Sequence, residues 1–145
     1  MLDGHYRMPR KPLRYGEPFD HRYFEVITDM PVKSLITAPG EGFRGLAGAP
    51  LAIRGHAWSG HVPVAKVDVS LDSGRSWQQA ELNPAPGRFA WRRFTFMAHN
   101  LPAGEVEIMA RATDENGNAQ PMECVSWNPR GYLNNMVHRV RGSII

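Results

Sequence analysis

A chain of 145 residues with 42% apolar residues, 21% charged residues and a net charge of +3 has the size and composition of one globular domain. Its 14 Gly and 12 Pro argue against a helical bundle or a coiled coil, because long helices tolerate neither residue well. Four Trp, six Phe and four Tyr argue against a disordered chain, and no G-x-y period marks a collagen-like one.

Residues 1–31 read as an extended lead-in. Pro9, Pro12, Pro18 and Pro31 interrupt it, and residues before Pro avoid the helical region. Its aromatics Tyr6, Tyr15, Phe19, Tyr23 and Phe24 are expected to pack on something, be it a partner or the rest of this chain. From residue 32 the pattern becomes two-periodic. Val32–Thr37 forms a first candidate strand. Leu51, Ile53, Gly55 and Ala57 alternate with Ala52, Arg54 and His56, and Val67, Val69 and Leu71 alternate with Lys66, Asp68, Ser70 and Asp72. Trp77–Leu82 and the aromatic run 89–97 follow, the latter without clean alternation. Val106, Ile108, Ala110 and Ala112, and finally Val140, Gly142 and Ile144, alternate with polar neighbours in the same way. Period two with a polar outer face marks half-buried antiparallel strands. Turn residues separate the runs at Asp72-Ser73-Gly74, Asn83–Gly87 and Asn116-Gly117. About seven such strands predict an all-β, immunoglobulin-like two-sheet antiparallel β-sandwich over residues 32–145, preceded by the lead-in. Trp77 and Trp91 fall at strand positions and are expected to be buried.

The charge is uneven. Residues 1–14 carry +3, residues 124–145 carry +3, and the middle carries −3. Fourteen of the seventeen basic residues are Arg, which suits planar contacts with oxyanions and carboxylates. The basic residues are too sparse for a nucleic-acid stripe. No apolar run is long enough to span a membrane, and Met1–His5 carries no signal-peptide core.

Few residues suggest chemistry. Cys124 is the single cysteine, so neither an intrachain disulfide nor a cysteine-rich zinc site is possible, and it is expected to be a small buried apolar residue rather than a nucleophile. His56 and His61 in HAWSGH read as surface histidines flanking a turn rather than metal ligands. Asp114–Asn118 reads as a hairpin turn rather than a calcium loop, since the EF-hand order and its distal Glu are missing. No catalytic or nucleotide-binding motif is present. The segment Trp127–Asn135 stands apart. Pro129 and Gly131 flank Arg130 in a sharp turn, which projects a guanidinium either to grip an oxyanion or to pair with a carboxylate.

Taken in order, the short motifs resemble one family, the C-terminal dimerisation domain of the sulfite oxidase family of molybdenum oxidoreductases. They are Gly4–Arg10, Met30–Ile36 with Pro39, Gly55–Gly60, Val67–Ser70 with Asp72, Gly74 and Trp77, Arg111–Asp114 with Gly117, Gln120 and Pro121, and Trp127-Asn128-x-Arg130-Gly131 with Asn135, His138 and Arg139. The resemblance implies an immunoglobulin-like domain that pairs two subunits, with residues 1–31 leading in from a catalytic domain this chain lacks. It implies that Arg130 enters the substrate pocket of a catalytic domain and binds a sulfur oxyanion there. No other catalytic, cofactor-binding or metal-ligating residue is expected in this chain. The molybdenum-molybdopterin and its cysteine ligand would belong to the catalytic domain, and Cys124 does not match that ligand. The isolated chain is therefore expected to bind no cofactor and not to turn over. The starting and Met30–Ile36 motifs lean toward bacterial sulfite and sulfane dehydrogenases, which implies a periplasmic enzyme, a homodimer and cytochrome c as electron acceptor. The competing expectation is a stand-alone immunoglobulin-like binding or adhesion module, with Trp58, Trp77 or Trp91 stacking on a carbohydrate or contacting a protein.

Overall fold

The computed structural model describes residues 6–145. Residues 1–5, with Asp3 and the Gly4-His5 start of the lead-in motif, lie outside the described residues. The lead-in is extended and carries two short strands, β1 (Arg7–Pro9) and β2 (Phe24–Val26), paired antiparallel with Arg7 opposite Val26. A single 3-10 turn, His21–Tyr23, precedes β2. Asp20 caps it, accepting from the Arg22 N–H and guanidinium, and these hydrogen bonds hold its carboxyl down at about 2.

The remainder is a sandwich of nine strands: β3 (Lys33–Ala38), β4 (Phe43–Gly45), β5 (Leu51–Trp58), β6 (Val64–Ser70), β7 (Gln78–Gln79), β8 (Glu81–Leu82), β9 (Arg92–Ala98), β10 (Gly104–Asp114) and β11 (His138–Ile144). One sheet has the order β4-β11-β10-β6-β7 and the other β3-β5-β9-β8. All pairings are antiparallel except β11 with β4, which is parallel. The alternation seen in the sequence becomes the core. Ile53 and Ala57 of one sheet, with Phe94 from the adjacent strand, face Val67, Val69, Ile108, Ala110, Ala112 and Val140 of the other. Each fully buried large apolar side chain contributes about 1.5–3 kcal/mol, so the two inner faces hold the sandwich together without a disulfide.

Three details depart from the expected strands. Residues 77–82 form two strands, not one, and these belong to opposite sheets. The chain crosses between them at buried Ala80, whose N–H donates to Val67 O. A corner of this kind keeps alternation on both sides, so it leaves no mark in the pattern. The short β4, set among Gly42, Gly45 and Gly48, shows no periodicity to read. Trp91 was expected in the core but is 56% exposed. It lies just before β9, on the outer side, and stacks on Trp58 at 4.7 Å. Trp77 is half-buried over the β6–β7 hairpin, its Nε1 donating to Gly74 O.

Candidate anion-contacting turn at Arg130

Between β10 and β11 the chain runs for 23 residues without a regular element, over 115–137. Its two ends are fixed to the sandwich. Gln120 is fully buried. Its Oε1 accepts from Ser34 Oγ (2.7 Å) and Ala112 N (2.9 Å), and its Nε2 donates to Asn135 O (2.9 Å) and Met136 O (3.3 Å). Asn135 Nδ2 donates to Val32 O, Lys33 Nζ to Asn134 O, and Arg139 to Met122 O. His138 accepts the Ile36 N–H on Nδ1. Burial first, then the nearby Lys33, lowers its pKa and keeps that nitrogen unprotonated, while Glu41 opposes the shift.

The middle of the connection is a turn. Asn128 O accepts the Gly131 N–H (2.8 Å), with Pro129 and Arg130 at the corners and Gly131 at φ +76°. Pro at the first corner fits the fixed φ of a tight turn, and Gly at its exit takes a positive φ at no steric cost. Asn128 Oδ1 accepts the Arg130 N–H (2.9 Å), which closes a second ring inside the turn. The result is an exposed Arg130 on a fixed backbone, and its guanidinium meets no hydrogen-bonding or ionic partner among the described residues.

The lead-in lies along this turn. Trp127 N donates to Leu13 O (2.9 Å), Asn128 Nδ2 to Arg7 O (2.9 Å) and Leu13 N to Ser126 Oγ (3.4 Å). Tyr6 packs on Tyr132 at 5.1 Å, and Tyr15 and Phe19 pack on Trp127 at 5.3 and 6.2 Å. Tyr6, Tyr15, Phe19 and Phe24 thus make ring contacts within this chain, while Tyr23 stays largely exposed. The basic lead-in, with Arg7, Arg10, Lys11 and Arg14, lies beside the turn of Arg130, whereas Arg139 and Arg141 of β11 pair with Glu123 and Glu107. An open groove of about 730 Å³ runs between β1–β2 and residues 124–135, lined by Arg10, Glu25, Asp29, His61, Cys124 and Tyr132 among others; Arg130 is not one of its walls.

Cys124 is exposed, a correction to its expected burial: it sits at the outer edge of the loop, and its thiol donates to Ser126 O. His61 is exposed, 3.7 Å from Asp29, and His56 lies against Trp91, so the two histidines share no ligand set. Among the described residues no three His, Cys, Asp or Glu converge as metal ligands. The Asp114 carboxylate is committed to its own turn, accepting from Asn116 N, Asn118 N and Asn118 Nδ2. Sequence reasoning named Asn128 and Gln120 only as motif positions and missed their roles, because the bonds to Arg7 and Ser34 span 121 and 86 positions. The Asn-Pro start of a turn was the one visible signal for Asn128.

The described residues form a two-sheet sandwich with an exposed Arg130 on the long β10–β11 connection. The family model for the Mo-co oxidoreductase dimerisation domain matches residues 24–144, and the chain belongs to that family. It is 41% identical over 122 residues to mitochondrial sulfite oxidase of Homo sapiens, covering 79% of this chain and 22% of that protein. It is 37% identical over 126 residues to sulfite oxidase of Gallus gallus, covering 83% of this chain and 27% of the relative. Among solved structures, the sulfane dehydrogenase SoxCD from Paracoccus pantotrophus superposes with a TM-score of 0.66 at 34% identity, over 76% of this chain and 29% of that one. A fibronectin(III)-like module of Clostridium thermocellum CbhA, at 17% identity and a TM-score of 0.52, shares the fold. The chain spans about a quarter of the length of the sulfite oxidases it matches.

Proposed function

We propose that this chain is the dimerisation and assembly part of a molybdenum oxidoreductase that oxidises a sulfur oxyanion, and that Arg130 reaches the substrate pocket of a catalytic domain. The observation that carries the reading is an exposed guanidinium on a turn held at both ends, with no partner among the described residues. Such a group offers an oxyanion two parallel, charge-assisted hydrogen bonds. The family membership and the likeness to sulfite oxidases and SoxCD support the substrate class.

The described residues do not fit molybdenum, since no ligand cluster forms and the lone thiol lies exposed at a loop edge. In this reading molybdenum-molybdopterin belongs to the catalytic domain, to which residues 1–31 lead, as membership of the Mo-co oxidoreductase dimerisation family supports, and no redox step is assigned to this chain. Two copies pair through residues 32–145, the complete enzyme is periplasmic, and cytochrome c takes its electrons. Replacing Arg130 with Ala in the complete enzyme removes one charge-assisted contact, a loss of about 1.5–3 kcal/mol. Steady-state kinetics with sulfite should show kcat/KM reduced at least tenfold, with molybdenum content unchanged. An unchanged kcat/KM takes Arg130 out of the pocket.

A further inference from the structure

The loop that carries Arg130 is divided between two supports. Its flanks, at Gln120, Met122 and Asn134–Met136, are tied to the sandwich through Ser34, Arg139, Lys33 and Val32. Between Ser126 and Tyr132, by contrast, the hydrogen bonds and ring contacts to other segments all go to the lead-in among the described residues: to Arg7, Leu13, Tyr6, Tyr15 and Phe19. At the turn itself, the Asn128 side chain joins the backbone of Arg130 to the lead-in. It is buried, and its amide has one possible orientation, because the Arg130 N–H requires an acceptor and the Arg7 carbonyl requires a donor.

We propose that Asn128 is the positioning residue for Arg130, and that through it strand β1 of the lead-in, rather than the sandwich, sets where the guanidinium stands. The inference rests on the reading of Arg130 as a substrate contact. It goes further by naming what aims that contact. One face of Asn128 fixes the backbone of Arg130, and the other anchors that backbone to the segment that arrives from the catalytic domain. The pocket and its arginine are then placed by a shared strand, and the lead-in is part of the substrate site's support rather than a passive linker.

Four variants of the complete enzyme test this, with sulfite as the probe: Asn128→Ala, Asn128→Asp, Arg130→Ala and the Asn128→Ala/Arg130→Ala double variant. Asn128→Asp keeps an acceptor for the Arg130 N–H but turns a carboxylate oxygen toward Arg7 O, so it breaks the lead-in link alone. Both Asn128 variants should raise KM at least fivefold with kcat within twofold. Hydrogen exchange of the Arg130 amide should accelerate at least tenfold in Asn128→Ala, with exchange in β10 unchanged. The double variant should be no worse than Arg130→Ala, because the two residues act as one unit. Wild-type KM in both Asn128 variants beside an impaired Arg130→Ala overturns the inference and leaves the Arg130 reading standing. Additive losses in the double variant also overturn it, since Asn128 would then act elsewhere. Wild-type KM in Arg130→Ala overturns the Arg130 reading and the inference together.

Discussion

Gly55→Ala should unfold or severely destabilise the domain, by about 3 kcal/mol or more, although it adds a single methyl group. Gly55 lies in the middle of β5, between β3 and β9, opposite Ile36 and Phe94. A Cβ there would stand 2.2 Å from Leu35 O and 2.2 Å from Phe94 Cζ. One obstacle is backbone and the other is a fully buried ring, so neither moves cheaply. Gly40→Ala is the matched control: a Cβ there meets nothing within 4 Å, and its stability should stay within about 0.5 kcal/mol of wild type. Urea titration of both variants checks the pair. A Gly55→Ala protein with the wild-type midpoint would mean that β3 and β9 do not press on β5 as described.

Gln120→Leu should cost a similar amount, about 3–5 kcal/mol, for the opposite reason. Leucine fills much of the volume but removes four hydrogen bonds. Ala112 N–H inside β10 loses its acceptor, and the Asn135 and Met136 carbonyls lose their donor. Each buried polar group left alone costs about 1–3 kcal/mol. Ser34 suffers least, since its hydroxyl still reaches Ala110 O at 3.1 Å. With m of about 1–3 kcal/mol/M, the urea midpoint should fall by at least about 1 M. Gln120 also ties the end of the Arg130 loop to the sheet, so trypsin should cut the folded variant more readily within residues 122–136. A midpoint shift below about 0.3 M would show that the amide is not the link between loop and core.

The parts of the molecule that local periodicity encodes were readable without coordinates. The strands β3, β5, β6, β10 and β11 follow from alternation, because a half-buried strand must place every second residue inward. The turn of Arg130 follows from Pro129 and Gly131, whose backbone preferences are local. What alternation does not encode is where a strand changes partner. Ala80 is inward in either sheet, and nothing in residues 77–82 announces the crossing. Trp91 was misjudged because aromatic residues beside a strand suggest burial, while its actual contact, Trp58, sits on the outer face of the neighbouring β5. Cys124 was misjudged because cysteine composition favours the interior, and only the path of the loop puts it outside. Asn128 was visible as a turn former, but its bond to Arg7 spans 121 positions, and such pairings belong to the fold rather than to any window of sequence.

The central claim is that this sandwich serves a molybdenum centre that it does not itself contain. The most direct measurement is to isolate the tagged protein from its native cell extract and assay the eluate for molybdenum. The account predicts stoichiometric molybdenum, together with a catalytic domain either in the same polypeptide or in one that co-elutes. An eluate in which the folded protein carries no molybdenum and no such domain would contradict it.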